Sequence, residues 1–483
     1  MTHPATETGP AGGPPRRQLD GDRAATALLA VAGAMSLAYG AELAVDVLRP
    51  RPDETEPAIG LFSPLWPDLP RVVFWCVVAS WVAAPTVWLV ARLARRMAPD
   101  TPALRPSRYR LLVAVVLLLP FSVHPVVLMA EHVPALLRCV PTTAFALWAV
   151  HRMPRHRRMP GWLLLAAAGW GALVATGFAG ALNLWFMNYG VAYLGDPADL
   201  VPAGTVTTGA FLHGAIVEEL GKAAGVWLAF VLARRHVHGV VSGVVLGAAV
   251  GLGFNLTESV EYVSASGATG EFQYWMRQFV GLMAAHTAFT AVVGAGIGLA
   301  RGTPNRARRW IIVGAGLFAS AGGHFANNTI FAWYSTVRRE WFTPGGPLDV
   351  LVVTPAVLVA LQGPFVALYL ATLWIARRAA AQGLAVELDR ESRTGLPAVT
   401  PVEVPVLLDP ATRLWMRVRT VRELGFAAYR QVRRVQAAQL ELALGRLRVA
   451  HGDPDATVDV DVLRNRVLRL KQAWSDRSTV VRR

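Results

Sequence analysis

The stretch Glu218-Glu219-Leu220-Gly221-Lys222 places two carboxylates and an ammonium side by side inside an apolar run. A single charge at the centre of a bilayer costs roughly 2.5–3.5 kcal/mol on insertion scales, so three together call for partners or a purpose. Glu218 and Lys222 are four residues apart, Glu219 and Lys222 three, so all lie on one side of a helix in the favourable order. Lys222 neutralises one carboxylate and leaves the protonation of the other open. It is one of only two lysines where lysine and arginine together number 47, so a compact point charge is favoured here over the chain's usual arginine. A structural ion pair joining two helices is the plain alternative.

Three further apolar runs carry buried polar groups. "GFNLTESVEYV" holds Asn255, Glu258 and Glu261, "MAAHTAF" holds His286, and "GGHFANNTIFAWY" holds His324 and Asn328 on one helix face. A lone histidine in such a run is most simply a packing residue; a shared depth is what sets these groups apart. Counted from the expected outer helix ends at 1.5 Å per residue, Glu218 lies at ~12 Å and Glu258 at ~8 Å. On the same count His286 and His324 fall at ~12–15 Å and Asn328 at ~9 Å. The helices alternate in direction, so nothing in the spacing forces this agreement. Acids, imidazoles and an amide in one layer suit amide hydrolysis: a poorly solvated glutamate as general base on water, and Asn with His for the oxyanion. Glu218, His286 and His324 would equally suit a divalent metal such as zinc, with bound water. There is no H-E-x-x-H motif, and no serine or cysteine with an evident base in that layer.

The elements that position these groups are transmembrane. The 483 residues are 54% hydrophobic and 16% charged, with mean hydropathy +0.39; this describes a polytopic, all-α membrane protein. Ten runs are long enough to span, at 24–48, 71–93, 109–131, 133–150, 161–186, 210–233, 240–263, 274–300, 310–334 and 347–376, with nine the count if the third and fourth merge. Net charge is +15, but the arginines cluster in loops such as "HRMPRHRRMP" and "RGTPNRARR" after the even-numbered runs, which fits an anionic leaflet better than nucleic acid. Both termini are then cytoplasmic. Cys76 and Cys139 lie in apolar runs, which disfavours a disulfide or thiolate metal site.

Residues 1–23 read as a disordered N-terminus, 24–376 as the membrane domain and 377–410 as a linker. Asp409 and Pro410 make an N-cap and first helical position, opening a cytoplasmic helical hairpin over 411–483 that breaks at "HGDPD". Its basic face is a solvated surface or a contact for anionic lipid or a cytoplasmic partner.

"EELGK", "FNLTE", a single histidine on the next helix and "HFANN" together resemble the motifs of PrsW-type intramembrane proteases, relatives of the CAAX-prenyl proteases and bacteriocin-processing enzymes. The resemblance covers about residues 205–335. It implies hydrolysis of a peptide bond in a membrane-anchored, single-span substrate, such as an anti-sigma factor, in the bacterial cytoplasmic membrane. It further implies Glu218 as the base, Glu219 held by Lys222, Glu258 and His286 in the second and third motifs, and His324 with Asn328 holding the oxyanion. No cofactor is required on that reading, although the family carries a metalloprotease label. An ion- or proton-coupled transporter and a non-catalytic scaffold are the rival readings; the absence of an inverted repeat weighs against the transporter.

Overall fold

A computed structural model describes residues 16–48, 69–98, 105–154, 158–194, 205–234, 236–237, 239–265, 267–341, 346–450 and 460–480. The described regular structure is entirely helical. The expected disorder over 1–15 and the break at "HGDPD" lie outside the described residues, and the first helix already begins at Arg16.

Four separate helices open the chain: α1 (Arg16–Leu48), α2 (Leu69–Met97), α3 (Pro106–Glu131) and α4 (Val133–Arg152). α3 and α4 are distinct because His132 leaves helical geometry, with Pro134 in the first turn of α4. α5 (Gly161–Gly169) passes through a π-helical turn, Trp170–Ala175, into α6 (Thr176–Leu194). Then follow α7 (Thr205–Leu232) and α8 (Gly239–Ala265). The eighth rod is broken: α9 (Gly270–Trp275) and a π-turn, Met276–Val280, precede non-helical residues 281–284 and α10 (Ala285–Arg301). α11 (Arg306–Trp341) and α12 (Thr354–Ser392) complete ten rods among the described residues. Eight described helices are long and apolar enough to cross a membrane, and the chain is a multi-pass membrane protein. The two rods outside that set are α7 and α11, which bear Glu218, Glu219 and Lys222 and His324, Asn327 and Asn328 respectively.

The bundle is organised around α8. One apolar core joins α4, α5, α7, α8, α10 and α12, and a second joins α1, α2, α3 and α6 with Val217 and Phe254. Glycines at positions 243, 247 and 251, one per turn of α8, let the α10 backbone come close. A Cβ at these positions would lie 1.9 Å from the Gly294 carbonyl oxygen, 2.2 Å from that of Thr290 and 2.3 Å from that of His286. On another side of α8, a Cβ at Gly253 would lie 1.8 Å from the Ala168 carbonyl oxygen, and one at Gly171 in the π-turn 2.0 Å from that of Val250. Thr257 takes up the Ala172 carbonyl of this turn at 2.7 Å, which seats the π-turn against α8 one residue before Glu258.

The stretch expected as a linker is partly helix. α12 continues to Ser392 because "ARRAAAQGLAVELDRES" holds helix formers throughout, and it ends just before Gly395, at φ 76°. Its final turns are buried: Leu384 and Leu388 pack with Leu407, Leu440 and Ala443. Glu391 accepts from Arg446 at 2.7 Å and Arg464 at 2.6 Å, tying in α14 (Pro410–Ala450) and α15 (Val460–Val480). A short α13 (Glu403–Leu408) precedes them. Asp409 caps α14 as its sequence suggests, accepting from the Ala411 and Thr412 N–H groups at 3.1 and 3.0 Å. α14 is kinked at Gly425, φ 79°.

Candidate active site

α7 turns Glu218, Glu219 and Lys222 inward, where Glu219 and Lys222 are fully enclosed. Glycines again permit the approach: Trp170 packs where a Gly225 Cβ would stand and donates its indole N–H to the Gly221 carbonyl at 2.9 Å. Lys222 Nζ lies 2.8 Å from Glu219 Oε1, 3.2 Å from Glu218 Oε2 and 2.9 Å from His286 Nδ1, and sits 3.7 Å over the Phe254 ring. Its charge therefore has three polar partners and an aromatic face, which compensates for the absence of water.

The carboxylates differ in how firmly they are held. Glu219 accepts from Lys222 and, through Oε2, from Ser320 at 2.7 Å and Thr290 at 3.3 Å; His324 Nδ1 is 3.3 Å from its Oε1. Glu258 Oε2 lies 2.5 Å from His286 Nε2 and 2.9 Å from Arg277 NH1. Arg277 also stacks 3.6 Å over Tyr262, and Asn255 contacts its carbonyl at 3.4 Å. Glu218 has the longest contacts: Lys222 at 3.2 Å, Asn183 at 3.3 Å, His324 Nε2 at 3.7 Å and His286 Nδ1 at 4.0 Å. Three carboxylates face two permanent cations, Lys222 and Arg277. Glu218 is the least tightly paired of the three.

The two imidazoles face each other edge to face, centroids 4.9 Å apart, and His324 is stacked on Phe289. His286 opens α10 immediately after the break in the eighth rod. The break is secured by Gln362 of α12, whose Oε1 accepts from the Ala285 N–H at 3.2 Å. The same side chain donates to Asn327 Oδ1 at 3.0 Å, and Asn327 donates to Asn328 Oδ1 at 3.1 Å. Among the described residues the Asn328 NH2 meets no acceptor, so it can donate, one turn along from His324.

Glu218, Glu219, Lys222, Glu258, His286 and His324 are thus in one contiguous cluster, flanked by Asn328. Glu261 makes none of these contacts. Arg277, Ser320, Thr290, Gln362 and Asn183 are polar neighbours that spacing alone does not single out. Arg277 and Gln362 sit in apolar runs, so the cost of burying them was the available signal.

Glu218, His286 and His324 each offer a donor atom, all within 4.8 Å of one another. One carboxylate and two imidazoles are a zinc-type donor set, so the residues fit a divalent cation by type and spacing. Lys222 competes with it, since its ammonium occupies the His286 Nδ1 lone pair and stands beside Glu218.

No curated protein and no solved structure matches the chain. Residues 159–361, which contain every residue of the motif cluster, match the model of the PrsW-protease family, described as PrsW family intramembrane metalloprotease, and this is the family that the sequence motifs resemble.

Proposed function

We propose that the chain is an intramembrane peptidase that hydrolyses a peptide bond of a membrane-anchored, single-span protein with a water activated by Glu218. The observation that carries this reading is the gathering of Glu218 with Lys222, His286 and His324 in one buried cluster in which Glu218 alone is loosely paired. Its long contacts leave the Glu218 carboxylate open to accept from a water, whereas short bonds from Lys222 and Ser320 fill both oxygens of Glu219.

Glu218 takes a proton from water as the oxygen attacks the scissile carbonyl. The developing oxyanion is met by the Asn328 NH2 and by His324, and Glu218 returns the proton to the departing amine. Glu219 and Lys222 keep the charge and position of the base constant. Glu258, paired with Arg277, orients His286 in the manner of a carboxylate–imidazole pair. Glu218, His286 and His324 are the residues that would hold a divalent cation, whose chemistry there would be to polarise the carbonyl and acidify bound water.

The positive-inside pattern puts both termini in the cytoplasm and the cluster nearer the outer face of a bacterial inner membrane. This fits a substrate cut on its extracytoplasmic side, an anti-sigma factor being the type that the family resemblance suggests. The arginine-rich tail faces the anionic leaflet or a cytoplasmic partner.

The test is cleavage of a single-span reporter by purified protein, with Glu218→Gln as the isosteric loss of the base. Cleavage should disappear without loss of folded yield, and an uncut single-span protein should accumulate in membranes of cells bearing the variant. Wild-type cleavage by Glu218→Gln removes the proposed base; proton or solute flux in liposomes without cleavage replaces the peptidase reading with transport.

A further inference from the structure

The carboxylate of Glu218 is held from two sides. Oε2 faces Lys222 and the histidines, while Oε1 accepts from Asn183 Nδ2 of α6 at 3.3 Å. Asn183 Oδ1 in turn lies 3.2 Å from His213 Nδ1 of α7, and His213 Nε2 lies 3.3 Å from Glu42 Oε1 of α1. The His213 ring is stacked on Phe186, centroids 4.4 Å apart and planes 14° off parallel, which fixes the plane in which its nitrogens point. A row of four side chains therefore runs Glu42–His213–Asn183–Glu218.

The polarity of this row follows from what each group can donate. An ionised Glu218 only accepts, so Asn183 offers it the NH2 and turns the C=O to His213. His213 Nδ1 must then carry a proton, and Nε2 shares one proton with Glu42. Turned over, the amide would set its oxygen against the Glu218 carboxylate at hydrogen-bond distance, acceptor against acceptor. The Glu42–His213 pair thus decides which side of the amide meets Glu218. The second oxygen of Glu42 is buried without a hydrogen-bond partner. Burying an acid on α1 so incompletely is costly, and its one described contact is aimed along the row.

We propose that Glu42, His213 and Asn183 form a positioning strut that holds the Glu218 carboxylate in its water-activating orientation. The proposal rests on the peptidase reading above. None of the three touches the reacting atoms; each acts through Glu218. Glu42 lies outside the family-matched residues 159–361, so the strut makes α1 part of the active apparatus. Without the Asn183 tether, the terminal torsion of Glu218, which has no sharp rotamer wells, lets the carboxylate swing onto Lys222. The aim of the carboxylate is lost, while substrate contacts are untouched.

The experiment uses the full-length purified protein and the single-span reporter, with kcat and KM measured for Asn183→Leu, Glu42→Ala, Glu42→Gln and Glu218→Gln. Asn183→Leu and Glu42→Ala should lower kcat about ten- to a hundred-fold with KM changed by less than about two-fold. Glu42→Gln should keep kcat within about three-fold of wild type, because its side-chain amide donates to His213 Nε2 and leaves the Nδ1 proton directed at Asn183. Wild-type kcat in Asn183→Leu and Glu42→Ala overturns the strut, as does an equal loss in Glu42→Gln and Glu42→Ala. The near-isosteric Asn183→Leu and Glu42→Gln decide the question if Glu42→Ala is recovered unfolded. Glu218→Gln separates the two claims: its normal cleavage removes Glu218 as the base and the strut with it, whereas an inactive Glu218→Gln beside fully active strut variants removes only the strut.

Discussion

Replacement of Gly251 by alanine tests whether the distance between α8 and α10 sets the chemistry. The new methyl carbon would stand 2.3 Å from the His286 carbonyl oxygen and 2.9 Å from the Thr287 Cα, against an ordinary contact beginning at 3.4 Å. These are backbone atoms, so no side-chain rotation relieves the clash, and the first turn of α10 must recede by about 1 Å. His286 opens that turn. Its Nε2, now 2.5 Å from Glu258 Oε2, would be carried to about 3.5 Å, beyond a useful hydrogen bond. Overpacking of this kind costs roughly 1–3 kcal/mol, which a ten-rod bundle survives, whereas a misplacement of about 1 Å at a reacting group costs up to a hundred-fold in rate. Gly251→Ala should therefore be recovered folded, melt a few degrees lower and cleave the reporter about a hundred times more slowly. Gly314→Ala on α11, with open space around its Cβ position, is the control and should match wild type. Wild-type turnover in Gly251→Ala would refute the claim that helix separation aligns Glu258 with His286.

Other outcomes are equally specific. Lys222→Met strips Glu219 and Glu218 of their shared cation and should destabilise the protein by about 3–5 kcal/mol; an unchanged melting temperature counts against the pairing. Ser320→Ala removes the 2.7 Å donor to Glu219 Oε2 and should cost about 1.5–3 kcal/mol, read from the same melt. Chelation followed by metal analysis should leave cleavage intact, since Lys222 fills the His286 lone pair; loss of a stoichiometric ion together with activity reverses that expectation. In the tail, burial pushes the Glu403 carboxyl up, but Lys471 at 2.7 Å and the Thr400 N–H outweigh it and hold the acid below its usual range. Its stabilisation is complete above the ordinary carboxylate value and is lost as pH falls through the depressed one. The melting-point gap between wild type and Glu403→Gln should therefore close between about pH 5 and pH 3; a gap independent of pH refutes the assignment.

The helical character and the long apolar rods are legible in the sequence because each rests on a large energy. Apolar runs of spanning length and charges within them are expensive to arrange otherwise. The glycine spacing at 243, 247 and 251 was equally present in the letters, but its meaning depends on which helix lies opposite. The break before Ala285 could not be read, because Gly281 and Ala284 sit in an apolar run and the residue that satisfies the exposed N–H, Gln362, comes from a helix far along the chain. That α12 runs on to Ser392 is hidden for a different reason: the change from apolar to mixed composition marks where α12 stops being apolar, not where it stops being helical. Glu42 acquires its significance only through His213 and Asn183, contacts between distant segments that no local pattern encodes.

α8 is hemmed in by backbone on two sides, by the Gly171 turn and Ala168 on one and by α10 on another. Such a helix has few large side chains with which to hold its place alone, so its final seat exists only once partners made both before and after it have arrived. Glu258 can meet His286 only where α10 is also in place, so on the peptidase reading a chain that lacks α10 carries its acids without an organised centre.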